Sequence, residues 1–156
     1  MKKEMRRKEK AMTQEETLEV LANAEYGVLS TISEDNTPYG TPMNFVYLDG
    51  AIYFHCAVEG HRLENIAGNH SVCFNAVDSV KLMPEAFNTQ YRSATVFGTI
   101  HVVEDPEEKR KGITAIVEKL SSDYHDAGMK YIDSAFDNLH VLKLEIEHMT
   151  GKATRG

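Results

Sequence analysis

Cysteine is scarce in this chain: 156 residues hold two, Cys56 and Cys73. They stand far apart and in no CxxC spacing, so they frame neither a disulfide scaffold nor a zinc ligand pair, and free thiols suit a reducing cytosol. Long apolar runs are missing as well. None approaches the ~18 residues of a transmembrane helix, and the basic start lacks the apolar segment of a signal peptide. The expectation is a cytoplasmic chain with no membrane contact. Cations are outnumbered, 17 Lys and Arg against 24 Asp and Glu, for a net charge of -7. Phosphate affinity comes mainly from Lys and Arg, so a general nucleic-acid binder is not expected. Several motifs are also absent: HExxH, GxSxG, the P-loop and the Rossmann glycine pattern.

One local exception is the run Lys2 to Lys10, with six cations against Glu4 and Glu9. It reads as a solvated N-terminal arm, residues 1–12, with an RNA or membrane-surface contact as the alternative. Residues 13–152 read as a single domain, since a chain this long buries roughly 70% of its unfolded surface and needs no staple.

The elements follow from local signals. Thr13 and Glu16 form a capping box opening a first helix. Strands are expected at about Tyr26–Ser33, Tyr39–Leu48, Ala51–Ala57, Val72–Val77, Ser93–Val103 and Leu139–His148. Asp49-Gly50 is a two-residue hairpin signal, so the second and third strands pair antiparallel. A short helix is expected over Arg62–Ala67, and residues 79–91 read as a long irregular loop. Asp105-Pro106 opens a helix, and another lies around Lys130–Phe136. Early hairpins without βαβ alternation predict a mainly β fold, a six-stranded antiparallel sheet or barrel with peripheral helices.

Three places carry chemistry. The stretch Phe54-His55-Cys56-Ala57 ends a strand, and Gly60-His61-Arg62 then starts a helix. Glycine lets the backbone approach a ligand, the helix start offers unpaired N–H groups, and Arg62 can pair with a phosphate. The competing reading is a solvated Arg on a surface helix. Second, Thr41-Pro42-Met43-Asn44 places a proline inside a strand, which confines that strand to an edge or bulge and frees backbone groups for a flat heterocycle; the competing reading is an edge proline that blocks aggregation. Third, Arg92-Ser93 offers further phosphate or ring contacts, or is an ordinary sheet edge. A metal site from His55, His61 and Cys56 is a minor alternative. As neighbours on a strand, His55 and Cys56 point to opposite faces and cannot work as a nucleophile–base pair.

Taken in order, several stretches resemble the Nim-like, 5-nitroimidazole resistance branch of the FMN-binding split-barrel family, relatives of pyridoxamine 5'-phosphate oxidase. They are Pro42-Met43-Asn44-Phe45-Val46-Tyr47, Asp49-Gly50, Ile52-Tyr53-Phe54-His55, Gly60-His61-Arg62, Tyr91-Arg92-Ser93 and Ile146 to Lys152. The resemblance implies a six-stranded split barrel and a homodimer with FMN at its interface. It maps phosphate contacts onto His61 and Arg62, and ring and ribityl contacts onto Thr41, Pro42, Met43, Asn44, Phe54, His55, Cys56 and Ala57. Ser93, His148 and Lys152 would reach the flavin, some from the partner subunit. The implied activity is FMN-dependent reduction of a nitroimidazole-type or related small oxidant, with His55 as proton donor. True pyridoxamine-phosphate oxidation is not expected, because the chain is short, has no Trp and lacks a second basic cluster. The alternatives are a flavin- or haem-binding module for sensing or cofactor handling, and a structural dimer without cofactor.

Overall fold

The computed structural model describes residues 3–155; Met1, Gly156 and Lys2 of the basic run lie outside the described residues. Helix α1 (Gln14–Asn23) begins at the expected capping box: Thr13 Oγ1 accepts the Glu16 N–H at 3.1 Å, and Glu16 Oε1 accepts the Thr13 N–H at 3.2 Å. Strands β1 (Tyr26–Ile32), β2 (Pro38–Asn44), β3 (Val46–Leu48) and β4 (Ala51–Ala57) follow, then α2 (His61–Gly68). Strands β5 (Ser71–Met83) and β6 (Asn88–Val102) precede α3 (Pro106–Ser121), α4 (His125–Ala135) and β7 (Leu139–Thr154). The Asp49-Gly50 turn has φ of 50° and 81°, the paired positive values of the tightest hairpins, and joins β3 to β4.

All seven strands pair antiparallel in the order β2-β1-β5-β6-β7-β4-β3. The order dictates the shape. The two edge strands, β2 and β3, are separated in the chain by Phe45 alone, so the sheet must curl until its edges meet. Phe45 sits at that corner fully buried, with its ring 4.8 Å from Phe74, which in turn lies 5.1 Å from Phe54, both edge-on. These rings, with Leu29, Val96 and Leu144, fill the interior, and α1 and α2 add Val20, Leu21 and Ile66 to the same core. A second apolar layer forms outside: α3 and α4 set Ile113, Ile116 and Ile132 against Val46, Tyr53 and Val141 of β3, β4 and β7. The outer face of β2, β1, β5 and β6 carries no helix among the described residues.

Two expectations are corrected. The strand expected over residues 39–48 is two strands broken at Phe45, giving seven strands instead of six; a smooth strand cannot serve both edges of one curled sheet. The segment 79–91 is not an irregular loop. It is the far end of the β5–β6 hairpin, closed by a 3-10 turn at Pro84–Ala86. A register shift between Val77 and Ser79 breaks the alternation there and hides the strand from a period-two reading. Strand β7 likewise runs past His148 to Thr154, and α4 starts at His125.

Candidate cofactor site

The corner at Phe45 opens a split. Strand β4 pairs with β7 along its whole length but with β3 only through Ala51, Ile52 and Tyr53. Its other edge over Phe54, His55, Cys56 and Ala57 has no strand partner among the described residues. Strand β2 pairs with β1 alone, so its far edge, bearing Thr41, Pro42, Met43 and Asn44, is free as well. The edge placement is what Pro42 requires, since it has no N–H to donate. The two free edges approach each other. Backbone groups on an open edge are ready donors and acceptors for whatever fills the gap.

Arg62 spans this split. Gly60 precedes it as the N-cap of α2 at φ 144°, where side-chain-bearing residues are strained. The helix is tied down by Asn65, whose Nδ2 donates to Thr31 Oγ1 of β1 at 3.0 Å in a buried setting. So held, α2 directs Arg62 across the gap, where Nη1 reaches Thr41 Oγ1 at 3.5 Å, a long contact. The guanidinium also approaches the Cys56 thiol. Its Nε is buried with no hydrogen-bond partner, and no carboxylate among the described residues pairs with it. The Nδ1 of His55 is buried and unpartnered too. A buried donor left unsatisfied costs about 1–3 kcal/mol, more when charged, so two such atoms around one split mark a place shaped for a ligand.

The electrostatics agree. Burial, and then the Arg62 charge, push the His55 pKa below its ordinary 6.5. Burial pushes the Cys56 thiol up, against an opposing pull from Arg62. The His61 ring lies 4.2 Å from the Tyr39 ring, and its Nε2 is 3.1 Å from Ser33 Oγ, beside the β1–β2 turn. Among the described residues no three His, Cys, Asp or Glu side chains come together as metal ligands, so the His55, His61 and Cys56 alternative has no geometry behind it.

Other expected residues lie elsewhere. Ser93 is on β6 and His148 and Lys152 are on β7, on the outer face. Strand β7 borders the split through β4, but His55 pairs with Val141, seven residues before His148, so His148 and Lys152, with Ser93 paired beside Lys152, lie more than about 20 Å along the strands from it. One chain does not bring them to its own split. Arg92 is held by Asp78, at 3.1 Å from Nε to Oδ1, and by Glu19, so its charge is met within the chain. Sequence reasoning missed Tyr39 as a site residue, although it shares a strand face with Thr41. A groove of about 960 Å³ lies beside the α3 start. Its main polar groups satisfy one another: Glu108 accepts from Tyr53 at 2.8 Å and from Lys143 at 3.0 Å. It therefore makes no comparable demand for a ligand.

A family model described as pyridoxamine 5'-phosphate oxidase matches residues 13–153. No curated protein matches the chain. Among solved structures, a proposed 5-nitroimidazole antibiotic resistance protein of Bacteroides thetaiotaomicron is 27% identical. It aligns over 92% of this chain and 86% of its own, with a TM-score of 0.78. A FAD- and haem-binding protein of Mycobacterium smegmatis is 18% identical over 94% of this chain and 74% of its own, TM-score 0.77. A FAD-binding protein of the same organism is 21% identical over 94% and 99%, TM-score 0.62. These last two share the fold alone.

Proposed function

Because the chain belongs to the pyridoxamine 5'-phosphate oxidase family, we propose that it binds FMN in the split between β2 and β4 and reduces a nitroimidazole-type or related small oxidant. The observation that carries this reading is Arg62: a cation with a buried, unpartnered Nε, set between two unpaired strand edges. The pair suits a flat ring rich in carbonyl and N–H groups that ends in a phosphate. Arg62, His61 and the first N–H groups of α2 hold the phosphate. The edges around Thr41 to Asn44 and Phe54 to Ala57 orient the ring. When bound and reduced by an external two-electron donor such as a reduced nicotinamide, FMN supplies the electrons of the reduction. His55 holds the proton that a nitro group also needs, at the unpartnered Nδ1. The protein works as a homodimer in the cytoplasm. Its helix-free outer face borders the split along β2, so a second copy docked there completes the site with the partner subunit's Ser93, His148 and Lys152.

The likeness to the resistance protein supports the nitro substrate, and the FAD and haem binders favour a second reading, a cofactor-handling or sensing module without turnover. The first measurement is the visible spectrum of purified protein, with the released chromophore identified by mass. One FMN per chain is expected, and Arg62→Ala weakens FMN binding about 10- to 100-fold, as loss of a charged hydrogen bond predicts. A colourless protein that binds no added flavin overturns the proposal. Bound flavin that never turns over a nitroimidazole favours the second reading.

A further inference from the structure

The β5–β6 arm reaches beyond the sheet and is amphipathic in a way the strand period alone does not produce. Ahead of the register shift, Val77 pairs with Ser93 on the outer face. Past it, Val80 pairs with Tyr91 and Leu82 with Thr89, while Ser79 pairs with Arg92 and Lys81 with Gln90. The extra residue, Asp78, reverses the alternation, so Val80, Leu82 and Tyr91 continue the outer face and the charged residues turn to the other side. Asp78 is also the lock: its carboxylate accepts from Arg92, which Glu19 of α1 holds from its far side. Nothing among the described residues covers the apolar side. Val80 is 64% exposed, Leu82 69% and Phe87, at the tip, 97%.

The bare outer face of the barrel runs straight into this strip. Register places Val28, Pro42, Cys73, Asn75, Thr95 and Phe97 side by side on it, and none carries a charge. The chain as a whole carries a net charge of -7. Two like-charged molecules meet most easily through such a face, and a self-complementary face needs no opposite charge from its partner. A two-stranded ribbon alone is marginal in water and gains from being covered.

We infer that the arm is a clasp: the Asp78 bulge turns Val80, Leu82 and the Phe87 tip onto a second copy of this chain, docked on the outer face of β1, β2, β5 and β6. The clasp rests on the paired arrangement proposed above, but not on the flavin. Sedimentation velocity of the full chain over a range of concentrations tests it. The native chain is expected to sediment as a dimer, and the double variant Val80→Asp, Leu82→Asp to dissociate at least 100-fold more readily. Lys81→Glu, on the opposite side of the arm, is expected to leave the dimer intact. All three positions are exposed, so the fold tolerates the changes. Phe87→Ser, at a position almost fully exposed among the described residues, is expected to weaken the dimer about 10-fold. A native chain that stays monomeric, or a double variant as dimeric as the native chain, overturns the clasp. A dimer that needs the arm but binds no FMN upholds the clasp and removes the flavin reading alone.

Discussion

At His55 the imidazole loses water to burial and faces the Arg62 guanidinium, and both hold its pKa below the ordinary 6.5. The folded chain thus resists protonating it more than the unfolded chain does. The stability this contributes is present above pH 6.5 and is lost as pH falls through the lowered value. For catalysis the same shift makes His55 a stronger acid, charged only at lower pH than a free imidazole. Single-turnover rates of nitroimidazole reduction by protein whose bound FMN has first been reduced anaerobically with dithionite, from about pH 5 to about pH 8, are therefore expected to fall as pH rises through that pKa. In His55→Gln this limb disappears and the rate at the acid end drops about 10-fold or more. A variant that keeps the limb assigns the proton to another group.

Between elements, the contact that shapes the split is made by Lys119 of α3. Its Nζ donates to the carbonyl of Leu21 at 3.2 Å and to that of Phe45 at 3.1 Å, and lies 3.8 Å from the centre of the Phe45 ring. The side chain pins the corner where β2 turns into β3. Burial lowers its pKa to about 8 from an ordinary 10.5. Between those values the unfolded chain keeps a proton that the folded chain has released, so the Lys119 contribution to stability rises with pH across that window and is lost as pH falls through about 8. Urea midpoints taken below and above the window are expected to show this rise in the native chain and not in Lys119→Met. Equal slopes would show that the ammonium is not held as the geometry implies. Elements with local signals were legible in the sequence: the Thr13–Glu16 box, the Asp49-Gly50 hairpin, the edge strand around Pro42, and the Asp105 cap, whose carboxylate accepts the Glu108 N–H. The break at Phe45 was not, because that residue keeps the period of its neighbours and only tertiary curling interrupts it. The arm was hidden because one inserted residue, Asp78, reverses the pattern. At the site, Thr41, His55 and Arg62 were readable as separate motifs. Their convergence was not, since it depends on the buried Asn65–Thr31 bond that fixes α2.

For the whole molecule, cofactor and pairing become one equilibrium. If the split of one copy is completed by the partner subunit's His148 and Lys152, FMN binds the dimer better than the monomer. By linkage, FMN must then tighten the dimer by the same factor. The charge balance adds a second lever. Each copy carries -7, so added salt screens their repulsion and favours pairing, whereas it weakens the Arg62–phosphate contact. Fluorescence titration of FMN at about 0.1 µM and about 10 µM chain is therefore expected to give tighter apparent binding at the higher concentration. Moderate salt should narrow that difference by pairing the dilute chain, while loosening the phosphate contact alike at both concentrations. The double variant Val80→Asp, Leu82→Asp should bind FMN weakly and alike at both concentrations, because its partner no longer docks. Equal affinity in the native chain at both concentrations, with sedimentation showing monomer in one and dimer in the other, would mean that a single copy holds all the groups that grip the flavin. The outer-face residues of β6 and β7 would then serve pairing alone.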